Sequence, residues 1–157
     1  LQVEAVERLA THPNIVGMKE SGSDISYITE LVASTPDDFT MLAGSATTFF
    51  HALCAGCDGG ILALAALLPE ACVRMQSLVR ADRLAEARAL QHWITPLARS
   101  VGGTYGVAGL KAALDLTGYN GGVPRPPLRP APPHVVETIN GQLSALGAFK
   151  ELIAETH

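Results

Sequence analysis

Residues 14–21, 39–43 and 60–64 are short apolar runs set about 20 to 25 residues apart, with helix-patterned stretches between them. This alternation constrains the fold more than any other feature of the chain. A strand that is apolar throughout needs cover on both faces, and a helix between successive strands returns the chain so that those strands run parallel. A complete (β/α)8 barrel takes about 250 residues, against 157 here. An open doubly wound sheet ordinarily carries a glycine-rich phosphate loop after its first strand, and none follows residue 21. The expected class is therefore α/β: a partial barrel of three strand–helix units within residues 1–81, followed by a helical extension over residues 82–157.

The remaining elements follow from pattern and punctuation. Val3, Val6, Leu9 and Ala10 mark an amphipathic helix already under way at the first residue. No methionine opens the chain, so a fragment of a longer protein is expected. Ser23 and Asp24 are candidate N-caps for a helix to about Ala33, with Ile25, Ile28, Leu31 and Val32 on one stripe. The spacing predicts helices over 46–55, closed by Gly56, over 69–80, with Pro69 in the first turn, and over 83–100, capped by Asp82 and kinked near Pro96. Gly102 to Gly106 reads as a flexible loop, and a short helix over 107–117 ends at Gly118. Prolines keep residues 121–133 extended. The last helix is expected over 134–146, with a tail that frays.

The first strand ends on Lys19, and that residue is the anomaly. Side chains alternate along a strand, so Ile15, Gly17 and Lys19 share one face and Val16 and Met18 the other. If both faces are buried, an ammonium points into an apolar interior, its pKa is depressed, and the neutral amine is a Schiff-base nucleophile. Gly17 beside it leaves room for a small ligand. The other open reading is a solvated residue at the end of a strand.

Composition excludes several functions. Lys+Arg 11 against Asp+Glu 15 gives a net charge of −4, so no basic stripe serves a nucleic acid. No apolar run reaches the length of a membrane span, and a cytoplasmic protein is expected. Cys54 and Cys57 have the spacing of a redox pair but span the end of a helix, where no dipole favours a thiolate; with Cys72 they read as buried small hydrophobes. His12, His51, His92, His134 and His157 have no shared metal spacing. Glu20 falls on the strand face opposite Lys19 and reads as structural, as do the Asp58-Gly59-Gly60 turn and the proline-rich stretch.

Gly17-Met18-Lys19-Glu20-Ser21, Leu42-Ala43-Gly44-Ser45, Ala55-Gly56-Cys57-Asp58-Gly59-Gly60-Ile61 and Leu110-Lys111-Ala112-Ala113, with Gly118, Gly121-Gly122 and Arg125-Pro126-Pro127-Leu128, stand in a telling order. In that order and spacing they resemble the C-terminal half of the dihydrodipicolinate synthase and N-acetylneuraminate lyase superfamily, over nearly the whole chain. The resemblance implies a class I, metal-free aldolase or lyase without a cofactor, built on the last three strand–helix units of a TIM barrel. It makes Lys19, at the end of the sixth barrel strand, the residue that forms an imine with pyruvate or another 2-oxo acid. It places Ser21, Gly44 and Ile61 at the substrate, Ile61 through its backbone, and implies a homotetramer for the full-length chain. The family's carboxylate-binding loop and its Tyr-Asn-x-Pro segment do not occur in this sequence. Tyr27, Tyr105 and Tyr119 stand in no such context, so none inherits the proton-shuttle role.

Two functional readings result. One is a pyruvate-dependent lyase or aldolase, of the 4-hydroxy-tetrahydrodipicolinate synthase or the 4-hydroxy-2-oxoglutarate aldolase type, acting on a 2-oxo acid and an aldehyde. The other is a non-catalytic truncated homologue that associates with a full-length subunit.

Overall fold

A computed structural model describes residues 1–154 of the chain, with side chains for residues 1–147. The order is α1 (Val3–Ala10), β1 (Gly17–Glu20), α2 (Ile25–Ser34), β2 (Thr40–Ala43), α3 (Phe49–Cys54), β3 (Gly59–Gly60), α4 (Pro69–Arg80), α5 (Leu84–Arg99), α6 (Gly106–Leu116) and α7 (Pro133–Ala154). A 3-10 turn, Ala63–Ala66, follows β3, and a π-helical turn, Ser100–Thr104, follows α5. Among the described residues no helix is long and apolar enough to cross a membrane.

The three strands form one parallel sheet in the order β1-β2-β3, with Met18 beside Met41, Lys19 beside Leu42, Glu20 beside Ala43, and Ala43 beside Gly60. Neighbours in register point the same way. Met41 and Ala43 are 2% and 1% exposed against the helices, whereas Thr40 and Lys19, on the other face, are exposed. The expectation of strands buried on both faces is therefore corrected. Helices cover one side of the sheet; the other, the side that a closed barrel turns inward, is left open at Lys19 and Thr40.

Asp24 caps α2 by accepting from the Tyr27 N–H at 3.1 Å, and Ile28 and Leu31 are buried beneath it. Gly56, at φ 109°, supplies the left-handed turn that closes α3. Cys72, Met75 and Leu78 of α4 join Ala87, Leu90 and Ile94 of α5 in the core. Across α5 and α6, α7 adds Val135 and Ile139. The extended 121–133 segment is tied down at its start, where the Gly121 N–H donates to Asp115 Oδ1 at 2.7 Å and Lys111 Nζ donates to the Gly121 carbonyl at 2.5 Å.

Several boundaries differ from expectation, each for a local reason. Helix α3 begins at Phe49, not 46, because residues 45–48 form a turn held by α5. β3 is only Gly59–Gly60; the Ile61 N–H still bonds the Ala43 carbonyl at 2.9 Å, but the alanine- and leucine-rich run beyond it winds into the 3-10 turn and buries Leu64. Asp82 does not cap α5. It sits at φ 57°, making the tight link from α4, and Arg83 occupies the cap position with its guanidinium on Glu86 at 2.5 Å. Helix α5 runs through Pro96, which is exposed, so the carbonyl that loses its partner lies toward solvent. The expected flexible loop at Gly102–Gly106 is the π-helical turn, closed by the Tyr105 N–H on the Ser100 carbonyl at 2.9 Å. Helix α7 continues past Leu146 to Ala154, where a fraying tail was expected; the rest of that tail, residues 155–157, lies outside the described residues.

Candidate active site

Lys19 stands at the C-terminal end of β1 on the uncovered face of the sheet and is exposed. The burial from which a neutral amine was expected is not provided by this chain. The reason is the same half-covered sheet, in which no described element closes over Lys19.

What the fold does bring together is Lys19, Ser21 and Gly44. Ser21 follows β1 by one residue and Gly44 follows β2 by one, and the Gly44 N–H donates to the Glu20 carbonyl at 2.6 Å, so the two strand ends run level. A Cβ on residue 44 would lie 2.6 Å from Lys19 Cε and against Ser21 Oγ. Only glycine leaves that space to the lysine stem and the serine hydroxyl. Ser21 and Gly44 also line a cavity of about 360 Å³ between the strand ends and the C-terminal end of α5.

Ile61 lies at the end of β3, 55% exposed, and does not line this cavity. Its N–H is spent on Ala43, so the backbone group it has to offer a ligand is its carbonyl. Glu20 is occupied locally, its Oε1 accepting from the Gly22 N–H at 2.5 Å. The Tyr27 hydroxyl donates to the Leu1 carbonyl at 2.7 Å, and burial, with Glu20 and Glu30 nearby, raises its pKa.

Sequence reasoning missed Gln91. It is 2% exposed, accepts from the Phe50 N–H at 2.9 Å, and donates to the Ala46 carbonyl at 3.0 Å and to Thr95 Oγ1 at 3.1 Å. One amide thereby anchors the turn after Gly44 to α5. The signal was present, since Gln91 is the polar member of the buried stripe Ala87, Leu90, Ile94, Leu97 and Ala98. Also missed were Ser45 and Thr47, whose hydroxyls pair at 2.8 Å beside the cavity, and Arg99, Gly102 and Gly103 on its far wall.

The three cysteines are free thiols. Burial, reinforced by Asp58, pushes Cys57 up to about 11, and burial alone does the same for Cys72. Cys54 is exposed, not buried as expected, because it falls on the outer side of the last turn of α3; its thiol is also raised. Such thiols are poor nucleophiles and poor metal ligands. Among the described residues no three His, Cys, Asp or Glu side chains gather at one point.

Comparison with known proteins follows the same lines. A family model described as the dihydrodipicolinate synthetase family matches residues 1–146. The 4-hydroxy-tetrahydrodipicolinate synthase of Methanopyrus kandleri is 32% identical over 152 residues, which are 96% of this chain and 51% of the relative. The structure of the 4-hydroxy-tetrahydrodipicolinate synthase of Methylacidiphilum fumariolicum SolV superposes with a TM-score of 0.87 at 29% identity, over 98% of this chain and 51% of that one. Dihydrodipicolinate synthase of Thermotoga maritima gives 0.86 at 29% identity, over 92% and 50%. The chain spans about half the length of the curated relatives it matches.

Proposed function

This chain belongs to the dihydrodipicolinate synthetase family, and from that premise we propose that it carries the Schiff-base lysine, Lys19, of a pyruvate-dependent lyase or aldolase. Its fold is the last three strand–helix units of a TIM barrel with a helical extension. We propose the boundary between the two parts at residues 81 and 82, where α4 turns into α5. The observation that supports the reading is the meeting of Lys19, Ser21 and Gly44 at the C-terminal ends of adjacent parallel strands, the end at which barrel enzymes hold their substrates.

In this reading the Lys19 amine attacks the carbonyl carbon of pyruvate, and the carbinolamine loses water to give an imine. Protonated at nitrogen, the imine accepts the electron pair left when a C3 proton departs, forming an enamine. The enamine carbon bonds to the carbonyl carbon of an aldehyde, whose oxygen takes up a proton, and hydrolysis frees Lys19 and the product; a cleavage runs the steps backward. Ser21 contacts the bound 2-oxo acid, Gly44 keeps the lysine stem's space open, and Ile61 offers its carbonyl. In a whole barrel the face that bears Lys19 turns inward, and the remaining strands supply the desolvation that favours a neutral amine. The relatives named 4-hydroxy-tetrahydrodipicolinate synthase support that type, and the 4-hydroxy-2-oxoglutarate aldolase type uses the same lysine chemistry. A homotetramer and a cytoplasmic setting belong to the same proposal.

The second reading is a non-catalytic homologue that associates with a longer subunit. The observation favouring it is the uncovered sheet face with Lys19 and Thr40 exposed.

Borohydride reduction in the presence of pyruvate, followed by intact mass and peptide mapping, separates the two. A pyruvyl adduct on Lys19, absent from Lys19→Ala, supports the lyase. No adduct on a sample folded by circular dichroism favours the second reading. No adduct in a polypeptide extended to a whole barrel sinks the Schiff-base assignment.

A further inference from the structure

We propose that Arg99, together with the Ser45 and Thr47 hydroxyls, forms a subsite for a carboxylate at the far end of the second reactant. The identity of that reactant rests on the Schiff-base reading above; the subsite itself rests on charge and geometry. Among the described residues lining the cavity of about 360 Å³, Arg99 is the one that carries a charge, and no carboxylate lines it. Arg99 is exposed at the last position of α5, and no described acid forms an ion pair with it. Its planar fork matches a carboxylate in two parallel hydrogen bonds.

The opposite wall supplies hydrogen-bond donors. Ser45 Oγ and Thr47 Oγ1 lie 2.8 Å apart, so one hydroxyl donates to the other and the acceptor keeps its own proton for a ligand. A carbonyl oxygen in the same turn would repel an anion, but that of Ala46 is held by Gln91 Nε2 at 3.0 Å. Gly102 and Gly103 leave the cavity wall beside Arg99 without side chains, and a Cβ on either would meet nothing within 4 Å. Gly44, whose missing side chain leaves space to the Lys19 stem, lines the same cavity, so a molecule joined at Lys19 extends toward the space that Arg99 borders. The planar guanidinium fork matches the two coplanar oxygens of a carboxylate better than the tetrahedral oxygens of a phosphate.

The test titrates the 15N-labelled chain with succinate, with neutral succinamide and with inorganic phosphate, while pyruvate trapping at Lys19 runs in parallel. Succinate is expected to give saturable shifts at Ser45, Thr47, Gly102 and Gly103. Arg99→Gln weakens succinate binding about tenfold or more, and Arg99→Lys falls between. Pyruvate trapping is unchanged in Arg99→Gln, because pyruvate has no second anionic end. Equal succinate affinity in Arg99→Gln and the parent chain, succinamide binding as well as succinate, or tighter binding of phosphate overturns the proposal. Loss of pyruvate trapping in folded Arg99→Gln also overturns it, since Arg99 would then serve the first reactant. Arg99-dependent succinate binding without any trapping at Lys19 supports the carboxylate subsite and counts against the Schiff-base reading alone.

Discussion

Gly44 and Lys19 exclude each other's bulk: a Cβ on residue 44 would sit 2.6 Å from Lys19 Cε, a distance at which one of the two must move. The contact joins the ends of two parallel strands and makes the position of the lysine amine depend on the absence of a side chain one strand away. Gly44→Ala is therefore expected to displace the lysine stem and the Ser21 hydroxyl and, because the new Cβ would also lie 2.8 Å from Ser21 Cα, to force the two strand ends apart. Trapping of pyruvate at Lys19 should slow on the order of 10²-fold, as an ångström-scale misplacement can, with a lowered thermal midpoint because the Ser21 backbone must also give way. Parent-like trapping in Gly44→Ala would show that the contact does not control the amine.

Gln91→Leu tests the anchor between α5 and the turn after Gly44. It keeps the volume but strands the Phe50 N–H and the Ala46 carbonyl, which Gln91 now satisfies. Leaving such buried groups unpaired costs about 1 to 3 kcal/mol. Urea unfolding should show that loss with an unchanged m-value, and amide exchange should quicken at Phe50.

Ile94 lies in the same buried stripe and is fully enclosed. Ile94→Val should cost about 0.5 to 1.5 kcal/mol and Ile94→Ala about 2 to 5 kcal/mol, by lost transfer energy and the cavity left behind. Denaturant midpoints for the pair measure it, and equal midpoints would mean that the site collapses freely.

The buried thiols make a prediction about alkaline pH. Cys57 and Cys72 are raised from an ordinary 9.0 to about 11, so between those values the unfolded chain has lost protons that the folded chain keeps. Stability contributed by these groups is intact below pH 9 and declines as pH rises toward 11. Replacing both with alanine should flatten that part of the stability profile relative to the parent. At pH 8, a brief exposure of the folded chain to iodoacetamide should label Cys54, which is exposed, well ahead of the other two.

Much of the fold was legible because its signals are local. The Asp24 cap, the helix Pro69–Arg80 and the glycine closing α3 depend on a few neighbouring residues, and they stand where the pattern placed them. The misplaced boundaries depend on distant partners. Helix α3 starts late because Gln91, 41 residues beyond Phe50, holds the preceding turn. β3 stops early because a strand extends only as far as pairing sustains it, whatever its apolar run suggests. The candidate site divides in the same way. Alternation along β1 put Lys19 on a face with Gly17, but no periodicity could say that Gly44 of another strand meets the lysine, or that Ile61 spends its N–H on Ala43.

The sequence by itself determined the alternation of strands and helices, the caps, and which side chains share a face, because backbone geometry repeats every two or every 3.6 residues and needs no distant information. Only the tertiary structure decided which sheet face is covered, how the strand ends line up, that Arg99 borders the same cavity as Gly44, and that Gln91 holds the turn between them. Burial belongs to whatever packs on the far side of a residue, and Lys19, an apparent interior lysine by pattern, is exposed because no described element packs over its end of the sheet.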